Sequence, residues 1–134
     1  MESLIRTYFS KKPEVIAVYL FGSQAAAKQR LDSDVDIGIL LRHKDLNRED
    51  ELREQVIVEL SRILKKDIHP VFMNTAGEEL LRQIFSKGKC VQTNDSKLRA
   101  QFMTVSLCRI ADFGYYRKMI QRGFLKTIGE AVHG

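Results

Sequence analysis

The chain has 134 residues, a length that predicts a single domain large enough to bury a hydrophobic core. Hydrophobic residues make up 44% of it and charged residues 29%, which is typical of a soluble globular protein. No apolar run reaches the roughly 20 residues of a membrane-spanning helix, and residues 1–6 lack the features of a signal peptide. Two cysteines are too few for a disulfide framework, so we expect a cytoplasmic protein with Cys90 and Cys108 in its core.

The formal net charge of +5 comes from the C-terminal segment. Residues 1–96 carry 15 basic and 15 acidic side chains, whereas residues 97–134 carry 7 and 2. Spacing by four residues gives this segment a basic helical stripe and an apolar one: Lys118, Arg122 and Lys126 in the first, Tyr116, Ile120, Phe124 and Ile128 in the second. The pattern favours an amphipathic helix with a solvated basic side over a surface for nucleic acid or an acidic partner.

The first half of the chain predicts one helix and two strands. Apolar residues at helical spacing predict a helix over about residues 4–9 that ends near Pro13. Residues 15–21 form a near-continuous apolar run, which is typical of a buried strand. A turn and a short helix are expected over residues 23–28, and a second apolar run predicts a strand over residues 35–41.

The middle of the chain predicts a long helix followed by a short strand. Asn47 is expected to cap the helix, and its apolar stripe runs to the basic pair at residues 65–66. Ile68, Val71 and Phe72 predict a third strand, which Pro70 would either shorten or place at an edge of the sheet because proline cannot donate to a ladder.

The last third of the chain predicts three helices and one strand. Thr75 and Glu78 have the spacing of a capping box, and Gly88 should close the helix that follows. A short strand is expected at residues 90–91. The chain from residue 96 predicts two helices broken near Gly114. The whole pattern predicts an α+β (mixed α/β) fold with a small sheet and flanking helices.

The most informative motif is Gly22-Ser23, followed by ten residues and then Asp34-Val35-Asp36. Asp34 and Asp36 lie two apart at the start of a strand, so both point to one face. Two unpaired like charges there would repel, and a divalent cation such as Mg²⁺ relieves that repulsion. Gly22 allows close backbone approach, and Ser23 lies where a helix could present N–H groups to a phosphate.

This motif resembles the signature of the nucleotidyltransferase superfamily that includes DNA polymerase β. The short chain is similar to the minimal nucleotidyltransferases, the MNT or MntA-type antitoxins paired with HEPN-domain toxins. The resemblance covers about residues 14–93 and implies a polymerase β-like nucleotidyltransferase fold. Residues 1–134 would then form a single nucleotidyltransferase domain, with its core at about 14–93 and a C-terminal helical segment at about 96–130.

The resemblance also implies a set of site residues. Asp34 and Asp36 would bind two Mg²⁺ ions, and Gly22 and Ser23 would bind the nucleotide phosphates. Asp67, at the start of the third strand, would be the third catalytic and metal-binding carboxylate.

Asp32 is the main alternative for that third position. Many family members carry an arginine and a glycine shortly after Gly-Ser, whereas this chain has Ala26 and Ala27; Lys28 or Arg30 is the candidate substitute cation. No role is assigned to the three histidines at positions 43, 69 and 133.

The function implied by the resemblance is Mg²⁺-dependent transfer of AMP from ATP to a hydroxyl, with a tyrosine of a cognate HEPN toxin as the acceptor. The chain would therefore be an antitoxin that acts by AMPylation, an enzyme of the protein adenylyltransferase type. Three alternatives remain open at this stage: an antitoxin that acts by binding alone, a small-molecule adenylyltransferase of the aminoglycoside-modifying kind, and a nucleic-acid binder that uses the basic tail.

Overall fold

The structure, a computed structural model, describes residues 1–22 and 34–121, with side chains as far as residue 112. In these ranges it contains four α-helices and four strands. In order they are α1 Glu2–Ser10, β1 Val15–Phe21, β2 Val35–Leu41, α2 Glu49–Leu64, β3 Ile68–Phe72, α3 Glu78–Lys87, β4 Lys89–Thr93 and α4 Ser96–Gln121. Short 3₁₀ segments at His43–Arg48 and Met73–Thr75 precede α2 and α3.

The four strands form one mixed sheet in the order β3-β2-β1-β4. β1 pairs antiparallel with both β2 and β4, whereas β2 pairs parallel with β3. β3, which contains Pro70, is an edge strand as predicted. At the other edge the Arg6 guanidinium donates from Nε to the Val91 carbonyl of β4 at 3.1 Å.

Helices cover both faces of the sheet, which makes three layers. On one face, α1 and α2 contribute Ile5, Phe9, Leu52, Val56 and Leu60 to a core with the alternate residues of β1 and β2. On the other face, α3 and α4 contribute Leu81, Ile84, Leu98, Phe102 and Ile110 to a second cluster. The central strands are therefore buried on both sides, which explains their near-continuous apolar sequence.

Two asparagine side chains join loops to the sheet. Asn94 donates from Nδ2 to three backbone carbonyls, those of Phe9, Lys12 and Val15, at 2.9–3.1 Å. It thereby ties the α1–β1 connection to the end of β4. Asn74 pairs with both backbone groups of Leu41: Oδ1 accepts from the N–H and Nδ2 donates to the carbonyl, each at 2.9 Å.

The structure corrects the predicted ends of several helices. The helix from residue 96 continues through Gly114 to Gln121, because one glycine costs only about 1 kcal/mol in a helix interior and need not break it. α2 begins after Arg48 and has no side-chain cap, so the predicted Asn47 cap is wrong. α3 begins after Gly77, and Thr75 instead donates its hydroxyl to Glu49, so the capping box is also wrong.

Two further details depart from the sequence expectations. Cys108 is exposed and Cys90 only half-buried, so neither belongs to the fully buried core. The short helix predicted over residues 23–28 and the side chains of the basic and apolar stripes at residues 116–128 lie outside the part of the chain that the structure describes. Along the described ranges, no helix is long and apolar enough to cross a membrane.

Candidate functional site

The two carboxylates of the sequence motif lie at the start of β2. Val35 and Ile37 point into the α1–α2 core, so the alternate residues Asp34 and Asp36 project toward the opposite face. Asp36 is half-buried and pairs in register with Phe21, the last residue of β1. Asp34 is exposed. Both acids therefore share one face at one end of the sheet, as the spacing predicted.

Gly22 lies against this pair immediately after β1. Its φ of +68° is in the left-handed region that side chains rarely adopt. A Cβ atom added here would lie 2.3 Å from Asp36 Oδ2, which is too close for any real contact. Glycine is therefore required at position 22 both for the backbone conformation and for the space that the Asp36 carboxylate occupies.

The electrostatics of Asp36 reflect its crowded position. Partial burial raises the pKa of the Asp36 carboxyl above its ordinary value, and the neighbouring Asp34 charge raises it further, while His69 acts in the opposite direction. The protein thus holds Asp36 in a place that disfavours its charged form, an arrangement often found at functional sites. A cation bound between the two carboxylates would reverse this effect.

His69 is a site residue that the sequence reasoning missed. Its Nε2 lies 3.0 Å from Asp34 Oδ2, and the parallel register of β2 and β3 places its Cα opposite that of Asp36. The signal was present in the alternation of β3, where Ile68 and Phe72 are buried and His69 is exposed on the other face. A histidine at that position points toward the same side as the two aspartates.

Asp67 lies one strand away from the pair, immediately before β3. Its backbone carbonyl accepts a hydrogen bond from Val35 N–H at 2.9 Å, which puts Asp67 level with Asp34 across the two strands. Its side chain is exposed. The structure thus places Asp67 at the same end of the sheet as the candidate metal ligands, while its predicted role as a ligand remains a prediction.

The connection from β1 to β2 carries the rest of the motif. Ser23, the rival ligand Asp32, the alanines at 26 and 27, and the cations Lys28 and Arg30 all fall within residues 23–33, outside the described residues. The phosphate-binding half of the predicted site is therefore represented here by Gly22.

The residues present fit a magnesium site of the kind completed by substrate. Across residues 1–22 and 34–121, no group of three or more histidine, cysteine, aspartate or glutamate side chains has the geometry to hold a metal by itself. Mg²⁺, however, is commonly bound by one or two carboxylates together with substrate phosphates. Asp34 and Asp36 supply the carboxylates, and the missing side chain at Gly22 leaves the room that the Asp36 carboxylate occupies.

The structure combines a helix-covered mixed sheet with paired carboxylates at the start of its second strand and a left-handed glycine immediately after its first. These features define the class of protein as a nucleotidyltransferase. A protein-family model described as "Polymerase beta, Nucleotidyltransferase" matches residues 3–97. The chain therefore belongs to the polymerase β nucleotidyltransferase family, and the predicted family, fold class and enzyme class are confirmed. A search of curated proteins found no significant match.

Solved structures with the same fold include toxin–antitoxin proteins. A mutant MntA–HpeT complex aligns with a TM-score of 0.70 and 19% identity, covering 93% of this chain and 98% of the matched one. A toxin–antitoxin with AMP-PNP gives 0.68 and 21%, covering 92% and 98%. The complex of a tri-AMPylated Shewanella oneidensis HEPN toxin with MNT antitoxin gives 0.63 and 19%, covering 93% and 99%. At these identities the likeness shows a shared fold over nearly the whole of each chain.

Proposed function

We propose that this chain is a Mg²⁺-dependent adenylyltransferase that moves AMP from ATP to a tyrosine hydroxyl of a cognate HEPN-domain toxin. The observation that carries the proposal is the Asp34–Asp36 pair on one face of β2, beside the left-handed Gly22. The nucleotide and the acceptor are suggested by the similar structures, one with AMP-PNP and one with an AMPylated HEPN toxin. The chain would then act as an antitoxin in the cytoplasm, by modifying its partner.

Each site residue has a part in this proposal. Asp34 and Asp36 hold two Mg²⁺ ions, and Gly22 and Ser23 bind the β- and γ-phosphates through backbone groups and the serine hydroxyl. Asp67 completes the metal site from the neighbouring strand. The bound ions supply charge neutralisation and activation of the acceptor hydroxyl.

The transfer itself requires no covalent enzyme intermediate. The acceptor oxygen forms a bond to the α-phosphorus of ATP, and the bond from that phosphorus to the bridging oxygen of the β-phosphate breaks. Pyrophosphate leaves with the electron pair, and the hydroxyl proton passes to a carboxylate, which we assign to Asp67. The protein contributes mainly alignment and electrostatic stabilisation, as in other phosphoryl transfers.

We further propose that residues 1–134 act as one nucleotidyltransferase domain. Its core would span about residues 14–93, and α4 with the residues after it would form the C-terminal helical segment. The packing of α4 on the α3 face of the sheet, through Leu98, Phe102 and Ile110, supports this arrangement.

The direct test is transfer of label from [α-³²P]ATP to a purified HEPN-domain protein, the kind of partner proposed for this chain. We expect labelled toxin and free pyrophosphate only with Mg²⁺ present, and mass spectrometry should place AMP on a tyrosine. Asp36→Asn should abolish the label, whereas Asp50→Asn should not, because Asp50 is a carboxylate with a 96% exposed side chain on α2, away from the site.

The same experiment separates the alternatives. Stable binding of the toxin without label would show an antitoxin that acts by association alone. Label on an aminoglycoside but not on the toxin would place the chain among small-molecule adenylyltransferases. Salt-sensitive retention on nucleic acid, with neither label, would indicate a nucleic-acid binder.

A further inference from the structure

The contact between His69 and Asp34 is a connection between two strands at the candidate metal site. The imidazole Nε2 lies 3.0 Å from Asp34 Oδ2, a normal hydrogen-bond distance. The two side chains are 56% and 54% exposed. Two polar side chains this exposed could each turn to water, so their mutual contact is not forced by burial.

The sheet register explains why these two residues meet. Asp36 and His69 are direct neighbours across the parallel β2–β3 pair, and Asp34 is two residues earlier on the same face as Asp36. His69 is therefore adjacent to both aspartates of the motif, and the hydrogen bond selects Asp34.

A hydrogen bond of this kind restricts rotation of the carboxylate. Ligating carboxylates are themselves commonly held by hydrogen bonds, and such partners strongly affect metal affinity. With Oδ2 held by the imidazole, Asp34 loses less rotational freedom when it binds a cation. Asp36 is held in a different way, by the close approach of Gly22 on its other side.

We infer that His69 is a positioning residue, which orients the Asp34 carboxylate for the metal through the Nε2–Oδ2 hydrogen bond. The inference rests on the proposed function, because it concerns the metal site assigned there. His69 does not take the place of a carboxylate ligand in this arrangement; it acts through Asp34. The role requires the Nε2–H tautomer, which the ¹⁵N spectrum of the histidine ring can report.

The test is the affinity of the protein for the Mn²⁺ complex of AMP-PNP, measured by isothermal titration calorimetry, with metal-free AMP-PNP as the comparison. His69→Leu removes the donor and should weaken binding about tenfold or more. His69→Gln, whose amide reaches a similar position and can still donate, should stay within about threefold of wild type. His43→Leu is the matched control, because His43 is an exposed histidine after the far end of β2, and it should not change the affinity.

A second measurement tests the hydrogen bond in the metal-free protein. Long-range ¹H–¹⁵N spectra in alkaline buffer should show His69 protonated on Nε2, and a ring protonated on Nδ1 would overturn the inference. So would an affinity of His69→Leu for Mn²⁺–AMP-PNP equal to that of wild type, or a loss in His69→Gln as large as in His69→Leu. If wild type bound Mn²⁺–AMP-PNP no more tightly than AMP-PNP alone, this inference and the proposed metal site would both fall, whereas equal binding by wild type and His69→Leu would leave the proposed function intact.

Discussion

Replacing Gly22 with alanine should damage both the fold and the candidate site. At φ +68°, the left-handed backbone costs a residue with a Cβ about 1–2 kcal/mol. The new Cβ would also lie 2.3 Å from Asp36 Oδ2, so the carboxylate must leave its present position. Displacing it into an off-rotamer geometry costs about 0.5–1.5 kcal/mol. We therefore expect a loss of about 1.5–3.5 kcal/mol in the free energy of unfolding, from these two costs together.

The measurement is thermal unfolding of the metal-free protein, together with ATP binding in the presence of Mg²⁺ well below the melting temperature. For a chain of this length, the expected loss corresponds to a fall in Tm of about 10 °C. ATP binding should weaken at temperatures where the variant is still folded, because the moved carboxylate is a proposed metal ligand. Gly22→Val should be worse in both respects, since its larger side chain also blocks phosphate approach.

A second glycine provides the control. Gly77 has a negative φ of −71°, and an added Cβ would meet nothing within 4 Å. Gly77→Ser places a favoured residue at the N-cap of α3, so its Tm should be unchanged or slightly higher. The reasoning would be refuted if Gly22→Ala unfolded at the wild-type temperature and bound ATP as tightly as wild type.

Three further predictions concern single side chains. Asp36→Asn should raise the Tm of the metal-free protein at neutral pH or leave it unchanged, and it should abolish transfer. Because the folded state raises the Asp36 pKa, the wild type should gain free energy of unfolding relative to the variant as the pH falls through that pKa. Urea titrations in which the stability advantage of the variant grew toward acid pH would contradict this. Asp67→Asn should strongly reduce turnover and only weakly reduce ATP affinity, whereas Asp32→Asn should reduce turnover much less. If steady-state kinetics showed the opposite pattern in the two variants, the third ligand would be Asp32. Asn94→Ala should cost about 1–3 kcal/mol in urea unfolding, because three carbonyls lose their donor. Asn94→Asp should cost more, since it points a carboxylate at the same three oxygens, and an aspartate variant as stable as the alanine variant would argue against those bonds.

The sheet was predictable from sequence because its strands leave a local signal. β1 and β2 are buried on both faces, so their apolar runs mark them without reference to the rest of the fold. Pro70 marked β3 as an edge strand, because a missing N–H is tolerated there. The spacing of Asp34 and Asp36 on one strand likewise fixed which way both side chains point.

Features that depend on contacts across the sheet were not predictable in the same way. The alternation of β3 indicates which face His69 is on, but its position beside Asp36 depends on the β2–β3 register, which no local pattern gives. The predicted caps at Asn47 and Thr75 failed because 3₁₀ segments precede α2 and α3 and move the helix starts onward. The continuity of α4 through Gly114 was missed because glycine is a statistical breaker, and its cost in a long helix is small.

Both open edges of the sheet are poorly suited to accept another strand. On β3, Pro70 lacks the N–H that a neighbouring strand would need, and on β4 the Val91 carbonyl already accepts from the Arg6 side chain. Binding of a partner by backbone pairing along either edge is therefore disfavoured. A protein partner that docks on this chain would have to be recognised through side chains, so its specificity should be sensitive to point substitutions on the contacting helices and loops. Compensating substitutions in the two proteins could then create new pairs of proteins that bind each other and no longer bind the original partners.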